Sequence, residues 1–155
     1  TFNIMEFKPS KINSFLFFKL PSAWWSGVRL ESITTSKAEV TVKHKWFNQN
    51  PFKSMYFAVQ AMAAELSTGA LVMYQINKSG KQVSMLVAEN NSTYSKKATG
   101  KIRFVCEDGF IVEEGVAKAI YSGQGETFWV KSIGYDETGD IVSEFNFKWT
   151  VRVKK

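Results

Sequence analysis

The chain is poor in the residues that most often announce chemistry. Its 155 residues hold one cysteine, Cys106, and one histidine, His44. A single thiol rules out a disulfide within the chain and a cysteine-rich zinc site. It fits a reducing compartment, so a cytoplasmic protein is expected. A single histidine rules out a polyhistidine metal site, and the sequence has no Gly-x-Ser-x-Gly elbow for a Ser-His-Asp triad to use. No glycine-rich phosphate loop followed by lysine is present either. His44 therefore reads as a satisfied core histidine on the apolar face of a strand. Cys106, alternating with Ile102 and Phe104, reads as a small core residue.

Long apolar runs and linkers are missing too. The segment TFNIMEFKPSKINSF has no uninterrupted apolar stretch followed by a small-residue cleavage site, so no secretion signal is visible. The most apolar window, residues 54–76, is broken by Gln60, Glu65, Ser67, Thr68 and Gln75, which leaves no membrane span. With no internal repeat, low-complexity tract or Pro/Gly/Ser linker, residues 1–155 are expected to close on one core as a single domain. Twenty basic residues against 14 acidic ones give a net charge of +6. That suits a protein meeting anions such as phosphorylated cofactors, nucleic acid or lipid headgroups, without choosing among them. The bases are dispersed in small groups (Lys96, Lys97, Lys101 and Arg103; Arg152, Lys154 and Lys155), which solvated faces explain best, and no nucleic-acid partner is expected.

What the chain does have is two clear periods. Residues 10–20 suggest a short amphipathic helix that Pro21 ends or bends. In residues 38–47, Val40, Val42, His44 and Trp46 alternate with polar neighbours, as in a half-buried strand. Residues 54–72, rich in Ala, Met and Leu, predict a helix with Ser54 at its N-cap, apolar nearly all round and hence buried. Strands return at 83–91 and 97–107, a second amphipathic helix at 110–121, and a strand at 127–135. A turn through DETGD then leads into the longest alternating run, Ile141 to Val153. One long helix with several antiparallel strands makes the domain α+β, a sheet wrapped around a central helix.

Inside that helix stands one lone carboxylate, Glu65, the only charged residue between Lys53 and Lys78. Burying a charge is costly, so either a strand Lys or Arg pairs with it or its raised pKa serves chemistry. Its helical face also carries Ala58, Ala61, Met62 and Gly69, small or flexible residues that leave room for a narrow ligand. The order Asn50, Tyr56, Glu65 resembles the hotdog-fold acyl-thioester hydrolases of the PaaI-like type. Those show an Asn, six residues on a His-Gly-Gly, and nine residues after the His an Asp or Glu. Here Tyr56 replaces the His, and Phe57 and Ala58 replace the two glycines. The chain is most similar to a branch of that superfamily known only as a domain of unknown function.

The resemblance implies an acyl-thioester hydrolase acting on acyl-coenzyme A. The coenzyme A would be part of the substrate, and no separate cofactor is expected. Glu65, Tyr56 and Asn50 would be its catalytic residues, and Phe57, Ala58, Ala61 and Met62 would line the substrate. The bulk of Phe57 keeps an alternative open, a non-catalytic hotdog protein that binds an acyl chain or another apolar ligand. Nine residues are two and a half helical turns, so Tyr56 and Glu65 point to opposite sides about 13 Å apart along the axis. If both serve one reaction, they come from two subunits around a two-fold axis. The resemblance implies the same arrangement, a homodimer or dimer of dimers with composite sites.

Overall fold

The computed structural model describes residues 7–155. Six strands form one antiparallel sheet: β1 (Arg29–Ile33), β2 (Ala38–Lys43), β3 (Val83–Tyr94), β4 (Lys101–Cys106), β5 (Glu126–Tyr135) and β6 (Ile141–Val153). Their order is β1-β2-β4-β5-β6-β3, which leaves β1 and β3 as edges. The helices are α1 (Pro9–Lys19), α2 (Pro21–Trp25), α3 (Phe57–Ser79) and α4 (Gly109–Ser122). The concave sheet face receives α3, which touches β1, β2, β4, β5 and β6, while α4 packs beside it on β5 and β6. This is the hotdog arrangement, a sheet curled round one long helix.

The strand pattern held where one face is buried and the other wet. On β6, Ser143, Phe145, Phe147, Trp149 and Val151 are buried while Glu144, Asn146, Lys148 and Thr150 are partly exposed. On β4, Ile102, Phe104 and Cys106 are buried. Residues 136–140 turn between β5 and β6, with Gly139 at a φ of 87° that suits glycine. Lys96, just past the end of β3, fastens this turn through Asp136 (2.6 Å) and Asp140 (2.8 Å).

Three local expectations are corrected. The central helix begins at Phe57 rather than Ser54, because Asn50 already engages Ser54: Asn50 Oδ1 accepts the Ser54 amide at 3.2 Å. Tyr56, in extended backbone, becomes the N-cap, and the helix continues to Ser79, where Gly80 in the left-handed region stops it. Strand β2 ends at Lys43, and Trp46, expected on its buried face, sits outside in a one-turn 3-10 helix, Trp46–Asn48. His44, just past the end of β2, is half-buried, and its Nε2 is buried with no hydrogen-bond partner among the described residues. It is therefore not a satisfied core histidine.

The buried Asn48 explains why the chain leaves the sheet there. Its Nδ2 donates to the carbonyls of Ser26 and Lys43, both at 2.9 Å, and its Oδ1 accepts the Lys45 amide at 2.9 Å. One side chain thus satisfies three backbone groups that a continuing strand would have paired.

Candidate functional site

Three buried polar bonds fix the rotation of α3. Ser67 and Ser132 hydroxyls meet at 2.7 Å, Ser143 donates to Gln60 Oε1 at 2.7 Å, and the Trp149 indole N–H donates to Thr68 Oγ1 at 3.0 Å. Unpaired buried polar groups are costly, so these rungs hold the Gln60–Ser67–Thr68 side to the sheet. At 3.6 residues per turn, Ala58, Met62, Glu65 and Met73 then fall on another side, a stripe of partly exposed residues. Ala61 borders it, also partly buried.

Glu65 is the one charged group on that stripe. No ion pair or hydrogen bond reaches its carboxyl among the described residues, so the structural alternative, a buried acid paired with a strand base, is not what the fold builds. Burial alone pushes its pKa from 4.5 up to about 7. Gly69 beside it lets the Trp149 ring close in: a Cβ there would sit 3.2 Å from Trp149 Cζ2 and 3.5 Å from Glu65 Oε1.

The start of α3 opens on a cleft of about 600 Å³ lined by Asn50, Phe52, Tyr56, Phe57, Gln60 and Tyr94 among others. Tyr56 and Phe57 are 47% and 55% exposed, so neither is the core aromatic that its type usually is. Their rings meet edge to face at 5.0 Å, and Phe57 meets Tyr94 at 6.3 Å. The first helical amides have no intrahelical partner. Val59 and Gln60 amides reach the Tyr56 carbonyl at 3.0 and 3.3 Å, whereas those of Phe57 and Ala58 meet no acceptor among the described residues. Two free N–H groups thus stand at the positive end of a 23-residue helix whose first residue, Phe57, lines the cleft, a donor pair suited to a developing oxyanion.

Asn50 is spent on its own loop. Its Nδ2 donates to Ser54 Oγ (3.0 Å), and its Oδ1 accepts from the Phe52 amide (2.9 Å) and the Ser54 amide. Within one chain, the cleft therefore gathers Asn50, Tyr56 and Phe57, while Glu65, Ala58, Ala61 and Met62 lie outside its lining. Glu65 is eight residues, about 12 Å, further along α3 than Phe57. Sequence reasoning missed Asn48 and Gln60. Asn48 accepts the Tyr56 amide on its carbonyl at 2.9 Å and so anchors the helix start, and Gln60 lines the cleft. No local motif announces either, because each is fixed in part by a distant residue, Asn48 by Ser26 and Gln60 by Ser143.

The remaining candidates separate cleanly. Lys96, Lys101 and Arg103 are engaged by Asp136 and Asp140, by Glu31 and by Glu39, while Lys97 at the cleft rim has no ion pair among the described residues. Burial pushes the Cys106 thiol up to about 12, which removes it as a nucleophile. Among the described residues no cluster of metal-ligating side chains occurs, and no helix is long and apolar enough to cross a membrane.

Comparison with known proteins agrees with this architecture. A family described as a domain of unknown function, DUF4442, matches residues 10–151. The comparison with curated proteins found no match. Among solved structures, a Pseudomonas aeruginosa protein of unknown function, described as a probable thioesterase, is 22% identical, with a TM-score of 0.78 over 94% of this chain and 97% of its own. A Chlorobaculum tepidum protein of unknown function is 16% identical, with a TM-score of 0.80 over 96% of this chain and 98% of its own. A thioesterase from Haemophilus influenzae is 12% identical, with a TM-score of 0.69 over 99% and 92%. At these identities the likeness is one of fold.

Proposed function

The chain belongs to the DUF4442 family and has the hotdog fold, and from that premise we propose that it is an acyl-thioester hydrolase, acting on acyl-coenzyme A, with Glu65 as general base. The observation that carries this reading is the Glu65 carboxyl itself, raised to about 7 and without an ion-pair partner among the described residues. A structural acid would be paired; a base working near neutral pH is best left unpaired with its pKa close to the working pH.

In the proposed reaction the Glu65 carboxylate takes a proton from water. The hydroxide so formed attacks the thioester carbonyl carbon, and the carbonyl oxygen becomes an oxyanion held by the Phe57 and Ala58 amides. Collapse of this intermediate breaks the carbon–sulfur bond, and the proton held by Glu65 passes to the departing thiolate. Tyr56 contributes its exposed phenol at the helix start, and Asn50 holds the loop that presents it. Ala58, Ala61, Met62 and Phe57 border the acyl group.

One helix cannot bring its own Glu65 to its own first turn across about 12 Å. The reading therefore includes a homodimer in which the acid of one protomer meets the helix start of its partner. The free outer edge of β3, twelve residues paired only with β6, and the partly exposed stripe on α3 offer the surface for it.

The test is thiol release from a panel of acyl-coenzyme A substrates by wild type and Glu65→Gln. Turnover by wild type, falling at least ~100-fold in the variant with melting behaviour retained, is expected. A wild type inert on every substrate yet thermally stabilised by acyl ligands supports instead a binding protein, the reading that the ring of Phe57 at the helix start favours.

A further inference from the structure

Large apolar side chains crowd one end of the molecule in the open. Trp46 is 82% exposed, Phe52 70%, Trp25 60% and Phe47 58%. They form a continuous surface rather than isolated exceptions. Phe47 borders a depression with Pro21, Ser22 and Trp25. It borders a second with Trp46, Gln49, Asn50 and Pro51, and the last two residues and Phe52 form part of the rim of the main cleft. Exposed apolar surface of this extent marks an interaction site.

The aromatics are held outward by construction. Asn48 pins the turn between Ser26 and Lys43, and Asn50 closes the next one, with Lys53 in the left-handed region at a φ of 58°. A fold that spends a buried asparagine to present tryptophan and phenylalanine to solvent has built a rigid apolar tip.

The chain segments that build this tip carry charge of one sign, the nearest acids being Asp136, Glu137 and Asp140 of the β5–β6 turn beyond the cleft rim. Residues 40–64 contain Lys43, Lys45 and Lys53 and no acid, and residues 7–30 contain Lys8, Lys11, Lys19 and Arg29 and no acid. None of Lys19, Lys43, Lys45, Lys53 or Lys97 forms an ion pair among the described residues, although acids elsewhere on the sheet are paired with other bases. A self-complementary contact between two copies would set these lysines against each other. Protruding tryptophan and phenylalanine flanked by lysine match instead the boundary of a bilayer, where rings enter the headgroup layer and ammonium groups meet lipid phosphate.

We infer that this face, Trp25 with Trp46, Phe47 and Phe52 and their flanking lysines, docks on the surface of an anionic phospholipid bilayer. Docked this way, the cleft rim at Phe52 lies against the lipid, so an apolar ligand dissolved there enters without crossing water. The surface is distinct from the stripe carrying Glu65, and its test needs no turnover.

The experiment is co-sedimentation of the wild-type chain with vesicles of phosphatidylcholine alone and of phosphatidylcholine mixed equally with phosphatidylglycerol, across a salt series. Retention on the mixed vesicles, weakening with salt and slight on phosphatidylcholine alone, is expected. Trp46→Ser with Phe47→Ser should weaken it about tenfold or more with the melting temperature kept. Lys45→Glu with Lys53→Glu should remove the preference for phosphatidylglycerol while leaving every ring in place. The inference is overturned if wild type stays in the supernatant with both vesicles, or if the double serine variant sediments like wild type. It is equally overturned if these variants abolish retention on single-stranded oligonucleotides and not on vesicles, or convert an oligomer to a smaller species.

Discussion

At the scale of single residues, Glu65 stands out because its surroundings hold no compensating charge. The lone acid was legible in the sequence, since between Lys53 and Lys78 no other residue is charged, whereas the lack of a strand Lys or Arg on it among the described residues came only from the fold. The sign of its effect on stability follows. The ordinary glutamate value is 4.5 and the folded value about 7, so between them the folded chain keeps a proton that the unfolded chain has released. The stability linked to Glu65 is full below about pH 4.5 and is lost as pH rises through about 7. Comparing melting at pH 5 and pH 8, wild type should lose roughly 1–3 kcal/mol that Glu65→Gln does not lose, after other groups common to both cancel. Parallel pH curves for the two proteins would mean that the carboxyl is solvated. Asn48 was not legible in this way. Its importance comes from joining the local Lys43 carbonyl to that of Ser26, which only the fold brings to it.

At the scale of elements, period carried most of the reading. Strand β6 and helix α4 came within a residue or two of their expected limits, because alternation and helical spacing each have one buried face to satisfy. The helix assignment for residues 110–121 survives a glycine, since a Cβ at Gly115 would fall on the Phe128 ring. The start of α3 was misplaced because Ser54 looks like an N-cap locally, yet its hydroxyl and amide are used by Asn50. Asn48→Ala should test the loop that leads to this start: three backbone groups lose their partner, and destabilisation of about 2–3 kcal/mol in urea unfolding is expected. A change under about 0.5 kcal/mol would show that water replaces the side chain freely. Phe57→Pro tests the amides themselves. Position 57 opens the helix, proline is tolerated there, and Tyr56 at φ −60° and ψ 135° already has the backbone that precedes proline. It should cut turnover about 100-fold or more, whereas Phe57→Ala, which keeps the N–H, should not.

At the scale of the whole molecule, the two halves of the proposed chemistry lie on one helix and too far apart to meet. The cleft holds the helix start and lacks Glu65, and the acid lies on a stripe that one protomer leaves partly open. The spacing in the sequence already dictated this separation, since helical geometry is fixed, but the surface that the proposed dimer would use follows from β3 being an edge of the sheet. That was invisible without the strand order. The decisive measurement is turnover by a heterodimer co-expressed from Glu65→Gln and Phe57→Pro chains and purified through two different tags. Each parent homodimer should be inactive, while the heterodimer holds one site with both lesions and one with neither, so it should recover about half of wild-type turnover. A heterodimer as inactive as its parents would contradict the account.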